Sequence, residues 1–236
     1  MNSETLLSFQ KQIEPLLKGR EPVYDLTCDK LEMYDIIQMS FTDDGDGGGH
    51  IPRLIRDESN VEMLRLLSGR SEEQVLRSFQ SGRKETAALV ESLFAFLEEA
   101  FSKTPAQLHR EGIEIDRCIC ERVGNNFLGP YFSVKGGQYR IAWHEISMEN
   151  ALWTTLAVFR YQADHGDRPG GNLHELVSGG YLDCLPNDPF SDEPLIYKRN
   201  ADTFGLYSVG GNCADDGGTG DDAVYWPVPV SISKPD

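Results

Sequence analysis

Apolar residues recur at intervals of three or four along the first half of the chain, which is the spacing of one face of an α-helix. The longest such run extends from about Lys84 to Ser102 and predicts a helix that packs in a bundle. Its apolar face carries Leu89, Leu93, Phe96, Leu97 and Phe101. A second helix is predicted over Leu31 to Met39. Residues 1–128 are therefore predicted to form a helical region.

Local signals place further helices in this region. Apolar residues have helical spacing near the N-terminus, although Pro15 argues against one unbroken helix there. Sequences of capping-box type begin at Ser59 and at Ser71, and each predicts the start of a helix.

The pattern changes to alternation near residue 130. Apolar residues occupy every second position on both sides of Gly136-Gly137, and a two-residue glycine turn joins antiparallel strands well. We therefore predict a β-hairpin from Tyr131 to Trp143. Ser147 is predicted to cap a following helix. The apolar face of that helix carries Leu152, Leu156, Phe159 and Ala163.

Turn residues divide the segment from Tyr161 to Asp222 into short elements. Glycine after His165 indicates a helix end, and proline fixes the backbone of a connector further on. The predicted order is a helix end at Gly166, a short helix from Leu173 to Ser178 with Asn172 and Glu175 as capping box, a rigid connector from Leu185 to Phe190, strands from Leu195 to Lys198 and from Phe204 to Val209, and a glycine and aspartate loop from Gly210 to Asp222.

These elements define an α+β protein. The helical region over residues 1–128 is followed, over residues 129–236, by a hairpin, a helix and a small antiparallel sheet. A length of 236 residues with 39% apolar content suits one sizeable domain or two small ones. The net charge of −16 argues against nucleic acid or an anionic membrane as partner, and it favours cations as ligands.

The N-terminal sequence and the apolar content predict the compartment. Met1 to Glu4 lacks the basic and apolar pattern of a signal peptide, and no run is long and apolar enough to span a membrane. A cytoplasmic protein is therefore expected, or an extracytoplasmic one if the chain is a fragment of a longer anchored protein. The five cysteines form no CxxC pair, so we expect them to be buried thiols or thiols without a chemical role.

Carboxylates and glycines are concentrated in the loop that follows the second predicted strand. Calcium takes about 6 to 8 oxygen ligands, and glycines let backbone carbonyls turn inward. The oxygen donors are Asn212, Asp215, Asp216, Asp221 and Asp222. Hard oxygens favour calcium over zinc, with Cys213 the only soft atom nearby. The residues alone leave two readings open, a calcium loop and a solvated loop in which Asp and Gly form turns.

A shorter segment rich in aspartate and glycine lies between the first predicted helices. Asp43, Asp44 and Asp46 lie close to several glycines, but the sequence lacks the closing glutamate of an EF-hand. A metal site and a flexible interhelical loop are both compatible with this segment.

The residues near the end of the predicted helix are also compatible with a catalytic site. A carboxylate beside His165, such as Asp167, could orient the imidazole as a base in a hydrolase. No nucleophile elbow, phosphate loop or HExxH pair accompanies these residues. A non-catalytic protein is therefore favoured, with the hydrolase as the alternative.

An ordered string of residues carries a family resemblance. It comprises His165 to Pro169, Gly180 to Leu182, Leu185 to Phe190, Tyr197, Leu206 to Gly210 and the Asp-rich loop. In this order the chain resembles the C-terminal domain of type II secretion major pseudopilins, and large uncharacterised bacterial proteins that end in the same module. The resemblance implies a helix packed across a small antiparallel sheet, calcium in the Asp-rich loop, and a role in assembly or protein–protein interaction.

Seven residues of this string are predicted to have structural roles rather than catalytic ones. They are Pro186, Asp188, Pro189, Phe190, Tyr197, Tyr207 and Ser208. Asp188 is expected to accept backbone donors within its turn, and Pro189 and Phe190 to fix the connector against the helix. The function that follows is a calcium-stabilised assembly or protein-interaction module that binds a protein partner or a second copy of itself.

Overall fold

A computed structural model of the chain describes residues 2–17, 22, 24–51, 59, 61–62, 65–66, 69, 71–200 and 203–227. Within these residues the protein belongs to the α+β class, with helices first and a small antiparallel sheet last. The helices are α1 (Ser3–Leu17), α2 (Thr27–Ser40), α3 (Glu72–Ser78), α4 (Arg83–Phe101), α5 (Pro105–Arg110), α6 (Ile115–Val123), α7 (Gly129–Phe132), α8 (Lys135–Asp164) and α9 (His174–Ser178). The strands are β1 (Ile196–Asn200), β2 (Thr203–Ser208) and β3 (Ala223–Trp226).

The chain divides into two compact units, and neither is one continuous stretch. One unit contains residues 1–22, 104–111 and 140–236, and we call it the sheet unit; the helical unit contains residues 23–103 and 112–139. This division differs from the linear boundary predicted between residues 128 and 129, because the two segments 1–22 and 104–111 group with the sheet.

Helix α4 forms the core of the helical unit. Its fully buried face carries Val90, Leu93, Phe94, Leu97 and Phe101. The predicted helix is confirmed, but its buried face is turned slightly from the predicted one, since Leu89 and Phe96 are only half-buried. Helices α2 and α6 pack against α4.

Two predictions about helix termini in the first half have clear outcomes. The capping box at Ser71 is confirmed, because its hydroxyl accepts from the Gln74 amide at 3.3 Å while the Gln74 side chain accepts from the Ser71 amide at 2.9 Å. Pro15 does not break α1, since it lies in the last turn of a helix that continues to Leu17. The box predicted at Ser59 includes residues outside those that the structure describes.

The predicted hairpin from Tyr131 to Trp143 is wrong. Residues 135–164 form one continuous helix, α8, so Ser147 lies inside the helix and does not cap it. The alternating residues lie on two helices and the turn between them: Phe132 at the end of α7 and Tyr139 of α8 are buried, whereas Val134 in the turn and Ile141 of α8 are 55% and 62% exposed. A helix, a short turn and a second helix can place buried and exposed apolar residues at the same spacing as two strands, so the pattern did not distinguish the two.

Gly136 has a packing role in place of the predicted turn role. A Cβ atom at this position would overlap the carboxylate of Asp116 from α6, within the same helical unit. Glycine therefore permits the close approach of α8 to α6 at its first turn.

The sheet unit is built on the antiparallel order β1-β2-β3. Tyr197 pairs with Leu206, and Leu206 pairs in turn with Trp226, next to a bulge between Leu206 and Tyr207. Both predicted strands are confirmed, and β3 is a third. Residues of α8, of α9 and of the sheet share one apolar core, among them Ala157, Val158, Leu176, Phe204 and Leu206.

The turn between α8 and α9 follows the prediction in part. Gly166, two residues after the end of α8, has φ of 67°, as expected of a helix-ending glycine. The Asn172 side chain accepts from the His174 amide at 2.9 Å. The predicted capping box does not form, because the Glu175 carboxylate instead accepts from the Gly171 amide at 3.1 Å and from the Tyr161 hydroxyl.

Candidate functional site

Asp188 is the centre of a buried polar network in the sheet unit. Its side chain is 1% exposed, and its carboxylate accepts four hydrogen bonds. The donors are the hydroxyls of Ser147 (3.2 Å) and Ser208 (2.9 Å) and the amides of Phe190 (3.2 Å) and Val209 (3.1 Å). The predicted acceptance of a turn amide is confirmed. The network also ties α8, the connector and the end of β2 to one charged group.

Neighbouring residues extend this network. The Tyr225 hydroxyl of β3 donates to Ser147 Oγ at 2.9 Å. Burial raises the pKa of Tyr225 to about 12. The Ser208 hydroxyl accepts from the Gly210 amide at 3.0 Å, which ties the first residue of the Asp-rich loop to the same cluster. A buried carboxylate with this many donors is stabilised as long as all of them are in place.

The remaining residues of the predicted structural string hold the connector and the sheet. Pro189 accepts from the Ala106 amide at 3.1 Å through its carbonyl, and Phe190 is buried beside the His144 ring at 4.6 Å. The Tyr197 hydroxyl donates to the Gly170 carbonyl at 2.9 Å. Pro186 lines a cavity that is described below.

The loop from Gly210 to Asp222 is closed by its own side chains. Asp222 accepts from the amides of Asp216 (3.2 Å) and Gly218 (2.6 Å). The Asn212 side chain donates to the Asp216 carboxylate at 2.8 Å. Two Asx-turns add to these contacts, because Asn212 accepts from the Ala214 amide at 2.9 Å and Asp215 from the Gly217 amide at 2.8 Å.

The ends of the loop approach each other at Gly210. Its φ is 67°, and a Cβ atom there would overlap the backbone carbonyl of Asp221. Only glycine fits this position without moving the backbone. The close approach brings the side chain of Asp221 to the same end of the loop as the end of β2.

Two residues of the sheet contact the loop directly. The Tyr207 hydroxyl donates to Asp215 at 2.9 Å, and the Lys198 ammonium donates to the Gly217 carbonyl at 3.2 Å. Hydrogen bonds from the Gly217 amide and then from Tyr207 lower the pKa of Asp215. The pKa of Lys198 is raised by its polar contact with Tyr207 and then by the charges of Asp215 and Asp222. Lys198 is thus a cation of the chain itself that partly neutralises the loop.

The residue types of this loop suit calcium, but the arrangement of their side chains does not. The donor set of Asn212, Asp215, Asp216, Asp221 and Asp222 consists of the hard oxygens that calcium prefers. Over the described ranges, however, no three His, Cys, Asp or Glu side chains converge in a group that could hold a metal ion. Several of the carboxylate oxygens are turned to loop amides instead. Calcium would therefore have to draw these oxygens away from existing donors.

The first Asp-rich loop has the geometry of a turn. Asp43 accepts from the Gly45 amide at 2.9 Å, and Asp44 accepts from the amides of Asp46 (3.0 Å) and Gly48 (2.8 Å). The hydrogen bond from Gly48 is the main cause that lowers the pKa of Asp44. A metal at Asp43, Asp44 and Asp46 stays a hypothesis from the sequence.

The residues of the hydrolase alternative lie at the end of α8. The His165 ring stacks on Tyr161 with centroids 4.0 Å apart, and its Nδ1 is 2.8 Å from the Tyr161 carbonyl. Asp167 follows Gly166 with φ of 62°. Both residues are exposed, and neither belongs to the lining of the cavity described below. These contacts are those of a helix terminus.

An exposed apolar stripe runs along the part of α8 that belongs to the sheet unit. Ile141, Met148 and Leu152 are 62%, 55% and 43% exposed. At 100° per residue these three side chains fall within roughly 40° of one another around the helix axis. The stripe is flanked by Arg140 on one edge and by Glu145 on the other.

A cavity of about 770 Å³ lies within the sheet unit. It is formed by α1, α8 and the segment from Gly180 to Asp192, together with Thr104. Its apolar lining includes Leu7, Trp143, Ile146, Trp153 and Leu185. No pattern in the sequence predicts this cavity, since its walls come from segments far apart in the chain.

Comparisons of the chain with protein-family models, with curated proteins and with solved structures return no match. The resemblance to secretion pseudopilins therefore stays a prediction from residue order. None of the helices in the described ranges has the length and apolarity needed to cross a membrane.

Proposed function

We propose that the chain is a non-catalytic assembly module, in which the sheet unit associates with a second copy through the stripe of Ile141, Met148 and Leu152. The exposed stripe is the observation that carries this proposal. Three large apolar side chains on one helix face lose contact with water when a second apolar surface covers them, and burial of apolar area favours association. The type II secretion role implied by the resemblance is part of the same proposal.

The edges of the stripe support a second copy as the occupant. Arg140 follows one edge, and Glu145 and Glu149 follow the other. When two copies of this helix lie side by side in the same direction, the basic edge of one faces the acidic edge of the other, as e and g positions do in coiled coils. The surface is therefore complementary to itself in charge as well as in polarity.

The size of the stripe sets the expected strength. A stable interface buries about 800 Å² per partner, which three partly exposed side chains cannot supply alone. We therefore expect weak, concentration-dependent association, with a dissociation constant on the order of micromolar or higher.

Sedimentation velocity over a range of protein concentrations tests the proposal. The wild type should shift from monomer to dimer as concentration rises, and the double variant Ile141→Glu, Met148→Glu should stay monomeric. Met39→Glu is the matched control, because Met39 is an exposed apolar residue, 74% accessible, on a helix of the other unit. A wild type that stays monomeric at all concentrations, or a double variant that dimerises like the control, would refute self-association through this face.

Calcium stabilisation of the loop from Gly210 to Asp222 is the second part of the proposal. It is supported by the oxygen donors of the loop and by the closure of its two ends at Gly210. Because carboxylates must exchange amide donors for the ion, we expect affinity in the weak range of about 10⁻⁴ to 10⁻³ M. The chelation experiment in the Discussion tests this part separately from self-association.

A further inference from the structure

The cavity of the sheet unit has the properties of a small-molecule site. Its volume of about 770 Å³ falls within the range of about 300 to 1,000 Å³ that is typical of ligand pockets. Its wall is mostly apolar and includes the indole rings of Trp143 and Trp153. Such a wall suits an apolar or aromatic ligand body, which releases water when it binds.

Arg160 of α8 supplies a charged group in this wall. It is 9% exposed, and its Nη1 donates to Gln10 Oε1 at 2.7 Å and to the Tyr181 carbonyl at 3.1 Å. The guanidinium lies over the Tyr181 ring, 5.3 Å from its centroid. These partners hold the guanidinium in one orientation, and all of them are neutral.

Arg160 forms no ion pair within the part of the chain that the structure describes. Its Nε is buried and has no hydrogen-bond partner, and no described carboxylate lies within ion-pair distance of it. A buried charge without an opposite charge destabilises the fold unless a ligand or water satisfies it. A carboxylate is the planar acceptor that a guanidinium binds best, through two parallel hydrogen bonds.

The acidic residues in the same lining already have partners. Asp192 accepts from the Thr104 hydroxyl at 2.8 Å and from Arg110 at 2.6 Å. Glu14, Glu149 and Asp183 are each engaged in an interaction within the chain. The lining contains two basic side chains, and Lys11 is exposed to solvent whereas Arg160 is buried, so the guanidinium is the buried charge that a ligand would satisfy.

We propose that this cavity binds a small apolar molecule with one carboxylate, such as a fatty acid or an aromatic carboxylic acid. The apolar body packs against Trp143, Trp153 and Leu185, and the carboxylate accepts hydrogen bonds from Arg160. The cavity is separate from the apolar stripe, because Ile141, Met148 and Leu152 do not line it, although Glu149 at the acidic edge of the stripe does.

Three probes with the same chain test the proposal on the wild-type protein: dodecanoate and dodecyltrimethylammonium, each below its micellar concentration, and dodecanol below its solubility limit. Binding is measured by calorimetry and by tryptophan fluorescence, to which Trp143 and Trp153 in the cavity wall contribute. Dodecanoate should bind about tenfold to a hundredfold more tightly than dodecanol, the range of one charge-assisted hydrogen bond. Equal affinity for the acid and the alcohol, or tightest binding of the cation, would overturn the assignment.

Substitutions locate the site. Arg160→Met keeps most of the side-chain volume and should reduce the affinity for dodecanoate to that for dodecanol. Arg199→Met, at an exposed position of β1, is the matched control and should bind as the wild type does.

Leu185→Trp tests the cavity if Arg160→Met does not fold. Leu185 is half-buried, so a larger ring there fills the cavity with little strain elsewhere. It should weaken binding of dodecanoate and dodecanol alike. Undiminished binding of dodecanoate by Leu185→Trp would place the ligand elsewhere and refute the proposal.

Discussion

Removal of the Asp188 carboxylate is the most direct test of how the sheet unit is held together. The variant Asp188→Ala leaves two hydroxyls and two backbone amides without their acceptor. The two amides, of Phe190 and Val209, belong to buried residues and cannot turn to solvent while the fold persists.

The expected magnitude follows from these contacts. Each buried amide without an acceptor destabilises by about 1 to 3 kcal/mol. The hydroxyls of Ser147 and Ser208 can rotate to other acceptors, and removal of a buried charge offsets part of the loss. We therefore expect the free energy of unfolding to fall by about 3 to 5 kcal/mol. A simple turn cap, which is all that the sequence indicates, is worth only about 0.5 to 2 kcal/mol.

Urea unfolding, followed both by tryptophan fluorescence and by circular dichroism, measures this difference. Glu193→Ala is the matched control, because Glu193 is an exposed acid in the same turn and should change stability by less than about 0.5 kcal/mol. Asp188→Asn should also destabilise strongly, since its amide would present donors to groups that are themselves donors. A loss near 1 kcal/mol for Asp188→Ala would show that the network does not hold the three elements together.

Three further predictions concern the loop and the sheet. At calcium concentrations about 10 to 100 times the dissociation constant, binding should add roughly 1.4 to 2.7 kcal/mol to the free energy of unfolding. Chelation should therefore lower the melting temperature of the wild type but not that of the double variant Asp216→Ala, Asp222→Ala. Equal melting of the wild type with and without chelator would exclude a calcium loop. Gly210→Ala should destabilise by about 2 to 4 kcal/mol, since a Cβ atom would overlap backbone at positive φ, whereas Gly211→Ala, with open space around it, should be nearly neutral in thermal melts. Because burial raises the pKa of Tyr225 from 10.0 to about 12, its contribution to stability is present below pH 10 and is lost as pH rises through 12. When the free energy of unfolding is measured against pH, Tyr225→Phe should lose less stability at alkaline pH than the wild type. An identical loss in the two proteins would mean that Tyr225 does not titrate in this way.

The sequence alone determined the local elements whose signals come from neighbouring residues. The capping box at Ser71, the helix end at Gly166 and the strands on either side of the β1-β2 turn all depend on contacts within a few positions. The acceptor role of Asp188 for the Phe190 amide has the same local origin. Such features are encoded by side-chain shape and hydrogen-bonding capacity within one turn of chain.

Tertiary structure decided between helix and strand around Gly136. Buried and exposed apolar residues alternate there in a way that both elements can produce, and local propensity could not resolve the choice. Tyr139 is buried, with its hydroxyl donating to the Lys103 carbonyl at 2.7 Å, and Gly136 lies against Asp116. Long-range packing within the helical unit therefore selects the helix, because it buries one face of the pattern completely.

Only the tertiary structure brings together Arg160, Gln10 and Tyr181, or joins Ser147, Asp188 and Tyr225 in one network. These residues are separated by tens of positions, up to 150 for Arg160 and Gln10, and no periodic pattern links them. A serine inside a helix and an arginine on its buried face carry no local signal of a partner. Their roles arise because folding removes them from water, which makes each unsatisfied donor or charge unfavourable until a distant group or a ligand meets it.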